Sequence, residues 1–420
     1  MPENSNLSVC FFFPYHEVSG VPVLFTRMAE YISKAYGIKT YLIDYADGYM
    51  SRNLNPGSRV TVMRFEDGVP LHIGPDTILV MQSVLPYTMR SELEIHPDTR
   101  IVFWTLHPLN LIQTLIPVPF FRHLQSRSVL FHRFGMRIAY RKIDINLRKL
   151  VISMHLKKSL LFMDGSTLHT TTRWLGASID DPSMVPVPSD MAAVNLRRNN
   201  PVRPKQSLQV CWIGRLADFK IHILAYTVEK LRHFAEKNKF HITMNVVGDG
   251  PEAGLLQRFK TRNEFFDLNL VGVLSKQELD EFLTKKVDLL AAMGTSALEG
   301  ARVGVPTILL DVSYGPVREG YKFRWLIDAD NFTLGDVIDS RHYEQGNETL
   351  ASMIQTLLSD YDGVSQRTFD YYSANHSIES VGKKFVAAIA EGSFKYHDFS
   401  PEIFRKGGIR RVYECLRSQS

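Results

Sequence analysis

Two cations, Arg215 and Lys220, follow an apolar run from Leu208 to Ile213 that stops at Gly214. An apolar run of that length ending in glycine predicts a buried parallel strand, and a helical pattern from His222 to Glu236 comes next. A strand that turns through glycine into a helix directs backbone N–H groups and the positive end of the helix dipole at one place. An arginine beside that place grips phosphate oxygens with a bidentate fork, and a lysine adds a compact point charge. The pattern suits a diphosphate. It also fits an ordinary strand–turn–helix with two solvated charges.

Other residues of the right type lie where strands are expected to end. Glu299 follows Gly294-Thr295 near the expected start of a helix, where a carboxylate either accepts hydroxyl donors or complements the dipole. Gly248-Asp249-Gly250-Pro251 reads as a turn at a strand end. Its glycines either admit a nucleotide closely or form a plain connection. Gly20, within His16-Glu17-Val18-Ser19-Gly20-Val21-Pro22, either lets backbone amides approach a diphosphate or is a turn glycine. His107 follows Arg100-Ile101-Val102-Phe103-Trp104, at the strand end where ligands of α/β proteins gather. A satisfied packing histidine is the plain alternative, and His16 is a weaker second candidate.

The elements that must position these residues alternate. In the first half a strand over Leu7–Phe13 leads to a helix over Val23–Ala35 and a strand over Thr40–Ile43. Further strands are expected at Thr77–Gln82, Arg100–Trp104, Leu160–Phe162 and Met184–Val187. Residues 188–207, rich in proline, asparagine and basic residues, read as a linker. The second half expects strands at Leu208–Ile213, His241–Val247, Asn269–Val271, Val287–Ala292 and Pro306–Asp311. Helices intervene at 222–236, from the Gly-Asp-Gly-Pro turn to about Arg262, at Gln277–Lys285 and from near Ser296. Strands alternating with helices imply parallel sheets with right-handed crossovers.

At 420 residues the chain is too long for one core and suits two. A content of 45% hydrophobic and 22% charged residues excludes disorder. Cys10, Cys211 and Cys415 are few and odd in number, which argues against a disulfide framework or zinc site and for a reducing compartment. No signal-peptide pattern opens the chain and no apolar window spans a membrane, so a cytoplasmic protein is expected. Residues 121–160 carry ten Lys and Arg against one acid, Asp144, interleaved with Phe120, Phe121, Leu124, Val129, Leu130, Phe131, Phe134, Met136 and Ile138. That composition suits either an amphipathic helix on an anionic membrane surface or a helix with a solvated basic face. The basic, aromatic tail from Lys395 to Arg417 extends the same character. No recognition motif accompanies the charge, so no nucleic acid partner is expected.

From Gly214 to Glu299 the chain resembles the retaining nucleotide-sugar glycosyltransferases of family 4, group 1. The matching pieces are Gly214-Arg215-Leu216 with Lys220, then Val247-Gly248-Asp249-Gly250-Pro251-Glu252. Val271-Gly272 with Ser275 and Glu278-Leu279 follow, then Val287-Asp288, Gly294 to Glu299 and Gly304-Val305-Pro306. The resemblance implies a GT-B fold: α/β, two facing Rossmann-like domains with an inter-domain cleft. The expected division is 1–190, 205–375, and a segment 376–420 that crosses back towards the first domain, with Tyr371 to Ile389 resembling that element.

The implied activity moves a hexose from a nucleotide diphosphate sugar to a glycan or lipid-linked glycan acceptor, without metal or other cofactor. Arg215 and Lys220 would hold the leaving diphosphate, His107 would meet the transferred sugar, and Glu299 would bind the ribose. Val271 would face the base, with Gly20, Gly214, Gly248, Gly250, Gly294 and Thr295 around the donor. The family's first motif glutamate is replaced by Ala291. That departure keeps a second function open, a nucleotide-sugar-binding protein with weak or no catalysis. A sugar-nucleotide epimerase, which shares the architecture, is a third.

Overall fold

The structure, a computed structural model, describes residues 7–112, 129–176, 178–190, 207–259, 263–339, 343 and 348–405. The chain forms two units, Met1–Pro186 with Val381–Ser420, and Val187–Ser380.

The first unit runs β1 (Ser8–Phe12), α1 (Gly20–Tyr36), β2 (Thr40–Asp44), α2 (Tyr49–Arg52), β3 (Thr61–Arg64), β4 (Leu71–Ile73), β5 (Thr77–Gln82), β6 (Leu93–Ile95) and β7 (Arg100–Thr105). After these come α3 (Val129–Ala139), α4 (Arg141–Leu156), β8 (Leu160–Phe162), α5 (Gly165–Leu175) and β9 (Ser183–Met184). Seven strands form a parallel sheet in the order β3-β2-β1-β5-β7-β8-β9. The strand order reverses beside β1, so a crevice opens at the carboxyl ends of β1 and β5. Helix α1 starts three residues before the expected Val23, because Ser19 is extended and the chain is helical from Gly20. The last strand is shorter than expected. Val185 still bonds to the Phe162 carbonyl, but Pro186 has no amide to continue the ladder.

The second unit contains β10 (Ser207–Ile213), α6 (Asp218–Asn238), β11 (His241–Val247), β12 (Phe266–Gly272), α7 (Lys276–Lys286), β13 (Leu289–Ala292), α8 (Thr295–Arg302), β14 (Thr307–Leu309) and β15 (Arg324–Trp325). Helices α9 (Leu350–Ser359) and α10 (Tyr361–Asn375) follow. Its sheet order is β12-β11-β10-β13-β14-β15, parallel except for the β14/β15 pair. The apolar run of β10, broken only by Gln209, is explained by burial on both faces. Leu208, Val210 and Trp212 pack with Ile221, Leu224 and Val228 of α6. Cys211 and Ile213 pack with Ala297, Leu298 and Ala301 of α8. After the Gly-Asp-Gly-Pro turn the chain forms a 3-10 segment, Ala253–Phe259, in place of the expected α-helix. Glu252 and Ala253 are bonded to the carbonyls of Leu216 and Gly250, which tightens the turn, and Gly254 disfavours a regular helix.

Helix α11 (Ile378–Glu391) carries the chain from one unit to the other, the first unit resuming at Val381. Phe385 stacks on Phe11 and packs at a tilt on Trp104, at centroid distances of 5.6 and 5.2 Å. The Ile101 amide then donates to the Phe394 carbonyl and the Tyr396 amide to that of Thr99. Residues Val187–Asp190, placed by sequence in the first domain, belong to the second unit. Ser189 donates to the His376 carbonyl, and the Tyr372 hydroxyl to that of Asp190. The rest of the expected linker, 191–206, lies outside the described residues. Cys10 and Cys211 are buried free thiols, and burial pushes both well above the ordinary thiol range.

Candidate functional site

In the second unit the sheet reverses between β10 and β13, and the two loops leaving these strands carry Gly214, Arg215, Gly294 and Thr295. Lys220 is not in the turn. Helix α6 begins at Asp218, so Lys220 lies in its first turn, with Asp218 supplying the only acid there. Its ammonium reaches back over the turn, 5.5 Å from the Phe219 ring centroid and in van der Waals range of the position a Cβ on Gly214 would take. A cation at a helix N-terminus adds to the positive end of the dipole, an arrangement relieved by an anion. Partial burial holds the Lys220 ammonium below the ordinary lysine range. Among the described residues neither Arg215 nor Lys220 has a carboxylate partner.

In the second unit α6 and α8 begin at Ala217 and Gly294 without a side-chain cap, and in the first unit α1, α2 and α4 also begin uncapped. Asp164, Ser275, Thr349 and Asp360 cap α5, α7, α9 and α10. Uncapped first turns keep their amides available to a ligand. Three of the glycine amides in the second unit are already engaged within the chain. Gly214 donates to Val247, Gly248 to Gly272 and Gly294 to Leu334. These bonds stitch the strand ends together.

The glycines sort by what surrounds them. A Cβ on Gly248 would stand 2.1 Å from the Gly214 carbonyl oxygen, and one on Gly250 2.3 Å from that of Leu216. Both glycines are required by the close approach of the chain's own loop. Gly294 has open space where a Cβ would go and is required by its φ of 62°. Gly20, the first residue of α1, has open space and no backbone constraint, so nothing in the fold demands glycine there.

Val271 is half-buried near the end of β12, beside a register shift opposite Val246 and Val247. Glu299 stands in the second turn of α8, past the reach expected for a dipole-complementing acid. Its Oε2 is buried without a hydrogen-bond partner, 3.5 Å from Lys276 Nζ and 3.7 Å from Arg302 Nε. Sequence reasoning missed this surrounding set. Lys276 and Asp280 are spaced i, i+4 on one helix, a visible signal, but nothing in the sequence shows which helix they face. Ala291 is 1% exposed in the middle of β13 and packs in the α6-side core. A carboxylate there would be buried without a partner, so the substitution suits the core.

In the first unit His107 follows β7 and Gly20 follows β1, both at carboxyl ends of the sheet. The Leu109 amide donates to His107 Nδ1 at 3.1 Å, which places the proton of the neutral ring on Nε2. Partial desolvation lowers the His107 pKa, favouring that neutral form. His16 lies elsewhere, stacked on Tyr45 at 4.4 Å and paired with Asp47. A small apolar cavity of about 180 Å³ opens at the ends of β1 and β5, between Phe12, Phe13, Met81 and Met89, with Gln82 and Arg90 as polar lining.

Solved structures similar to this chain include glycosyltransferases. A glycosyltransferase from Rickettsia africae ESF-5 matches with a TM-score of 0.55 and 12% identity over 92% of this chain and 98% of that one. WaaG, a glycosyltransferase involved in lipopolysaccharide biosynthesis, matches at 0.48 and 13% over 91% and 99%. The lipopolysaccharide outer core galactosyltransferase WaaB matches at 0.46 and 11% over 91% and 99%. No family model matches the sequence, and no curated protein matches it. At these identities the likeness is one of fold. The architecture is α/β with Rossmann-like domains of the GT-B type, as the sequence led us to expect.

Proposed function

We propose that this protein is a retaining glycosyltransferase that moves a hexose from a nucleotide diphosphate sugar to a glycan or lipid-linked glycan acceptor. The observation that carries the reading is the pair Arg215 and Lys220. Both lack carboxylate partners among the described residues, and they stand at an uncapped helix start beside the sheet's switch point. As the C1–O bond to the diphosphate breaks, negative charge grows on the leaving oxygen, and these cations with the first-turn amides stabilise it. The acceptor hydroxyl bonds to C1 from the same face and its proton passes to the departing phosphate oxygen. His107 offers Nε2–H to the sugar, and Glu299 accepts ribose hydroxyls at its unfilled oxygen. In this reading the charge is neutralised by side chains, with no metal required.

Incubation with UDP-, GDP- and ADP-sugars should release nucleoside diphosphate. Lys220→Ala should weaken nucleoside diphosphate binding by about 1.5–3 kcal/mol, the worth of a hydrogen bond to a charged group. Unchanged affinity in calorimetry, with the fold intact, overturns the assignment. The buried Ala291 supports a second reading, a binding protein that holds the donor without turning it over. Tight nucleotide-sugar binding with no release over hours would favour it.

We also propose peripheral attachment to an anionic membrane on the cytoplasmic side. Among the described residues no helix is long and apolar enough to cross a membrane. Helix α3 exposes Phe134 and Ile138, one turn apart beside Arg137, and α4 exposes Arg141, Lys142, Ile145, Lys149 and Ile152. Exposed apolar and basic side chains on the same helices suit the headgroup region. Residues 120–128 of the basic stretch and 406–420 of the tail lie outside the described residues. Within the described tail Lys395 pairs with Asp98.

A further inference from the structure

Glu299 is the middle member of an alternating chain of five charges, all within the second unit. Its order is Asp280, Arg302, Glu299, Lys276, Asp190. Lys276 and Asp280 are spaced i, i+4 on α7, and Glu299 and Arg302 are spaced i, i+3 on α8, so two helix faces meet charge to opposite charge. The outer pairs, Arg302 with Asp280 and Lys276 with Asp190, are close contacts. The inner contacts to Glu299 are longer, 3.5 Å from Lys276 and 3.7 Å from Arg302. Neither is a hydrogen bond, and Glu299 Oε2 has none while buried.

A buried carboxylate oxygen without hydrogen bonds is unfavourable unless nearby cations offset its burial. Here two cations flank it while each makes its closer contact with another acid. Glu299 Oε2 is thereby held between them with its accepting capacity unspent. The two cations differ. Arg302 is buried, whereas Lys276 is 54% exposed on its side chain and adds little to stability as an exposed pair.

We infer that Lys276, anchored by Asp190, is a positioning residue that readies Glu299 to accept the hydroxyls of a nucleotide ribose. The inference rests on the proposed role of Glu299, and the test separates the two. UDP, GDP and ADP, each beside its 2′,3′-dideoxy counterpart, are titrated into the wild type, Glu299→Gln, Lys276→Met and Lys276→Arg. The readout is the ratio of ribo to dideoxy affinity, which a merely structural role of Lys276 would not move.

Glu299→Gln should bring the ratio close to one. Lys276→Met should lower it about two- to fivefold, the scale of an exposed ion pair, with dideoxy affinity unchanged. Lys276→Arg should restore it. A full ratio in Lys276→Met, with the ratio lost in Glu299→Gln, overturns the inference and leaves the ribose role standing. A full ratio in Glu299→Gln, or none in the wild type, overturns both.

Discussion

Lys220 and His107 carry opposite electrostatic demands at the carboxyl ends of their sheets. Lys220 sits in a first helical turn, where its charge is disfavoured until an anion arrives. His107 is held neutral by partial desolvation, with its Nδ1 already accepting from Leu109. A histidine whose folded pKa lies below its ordinary 6.5 binds fewer protons folded than unfolded. Its penalty is therefore absent well above that value and grows as pH falls from it towards the lowered folded pKa. Stability should decline over that window, and His107→Gln should decline less. Denaturant midpoints measured at about pH 7.5 and about pH 5 would show it, and parallel losses in the two proteins would count against the assignment. The residue types of the site were legible from sequence, since cations, glycines and carboxylates fall at strand ends. The surroundings of Glu299 were not, because Lys276 and Arg302 meet it, and Asp190 meets Lys276, only after distant segments pack.

Among elements, the loop after β10 and the loop after β11 behave as one structure. Gly214 donates to Val247, Leu216 to Asp249 and Glu252 to Leu216, and Gly248 leaves no room for a Cβ against the Gly214 carbonyl. Gly248→Ala should therefore act at a distance. Its φ of 123° alone costs an alanine about 1–3 kcal/mol, and the clash displaces the segment bearing Arg215. Reduced melting temperature together with weakened nucleoside diphosphate binding is expected. A variant that keeps wild-type affinity would show the two loops to be independent. The buried strand Thr77–Gln82 was readable to the residue, because burial on both faces leaves the unbroken apolar run Ile78–Met81. Short, exposed elements escaped for the opposite reason. β3 faces solvent at the edge of its sheet, and its Thr-Val-Met-Arg pattern carries no such run.

For the whole molecule, the exposed basic and apolar face of α3 and α4 predicts where the protein works. It should bind vesicles containing anionic lipid and ignore neutral ones, with attraction of about 1 kcal/mol per basic residue near the surface that fades as salt rises. Arg137, Arg141, Lys142 and Lys149 are exposed and are the residues to change. Arg133 is not, because its guanidinium packs against Gly176 at the C-terminal end of α5. Replacing the four by glutamine should release the protein from vesicles while leaving nucleotide binding by the second unit unchanged. Flotation indifferent to lipid charge would leave the face a solvated one.

The amino-acid sequence alone determined the alternation of strands and helices, the parallel sheets and the kinds of residue at the strand ends. These follow from periodicity and turn chemistry, which act over a few neighbouring residues. Tertiary packing decided which glycine amides were already bonded, that Gly248 and Gly250 accommodate the chain itself, and that Ala291 belongs to the core. It also assigned Val187–Asp190 to the second unit and set Glu299 between two cations. Each of these depends on segments far apart in sequence meeting at distances of a few ångströms, and no local pattern encodes such a meeting.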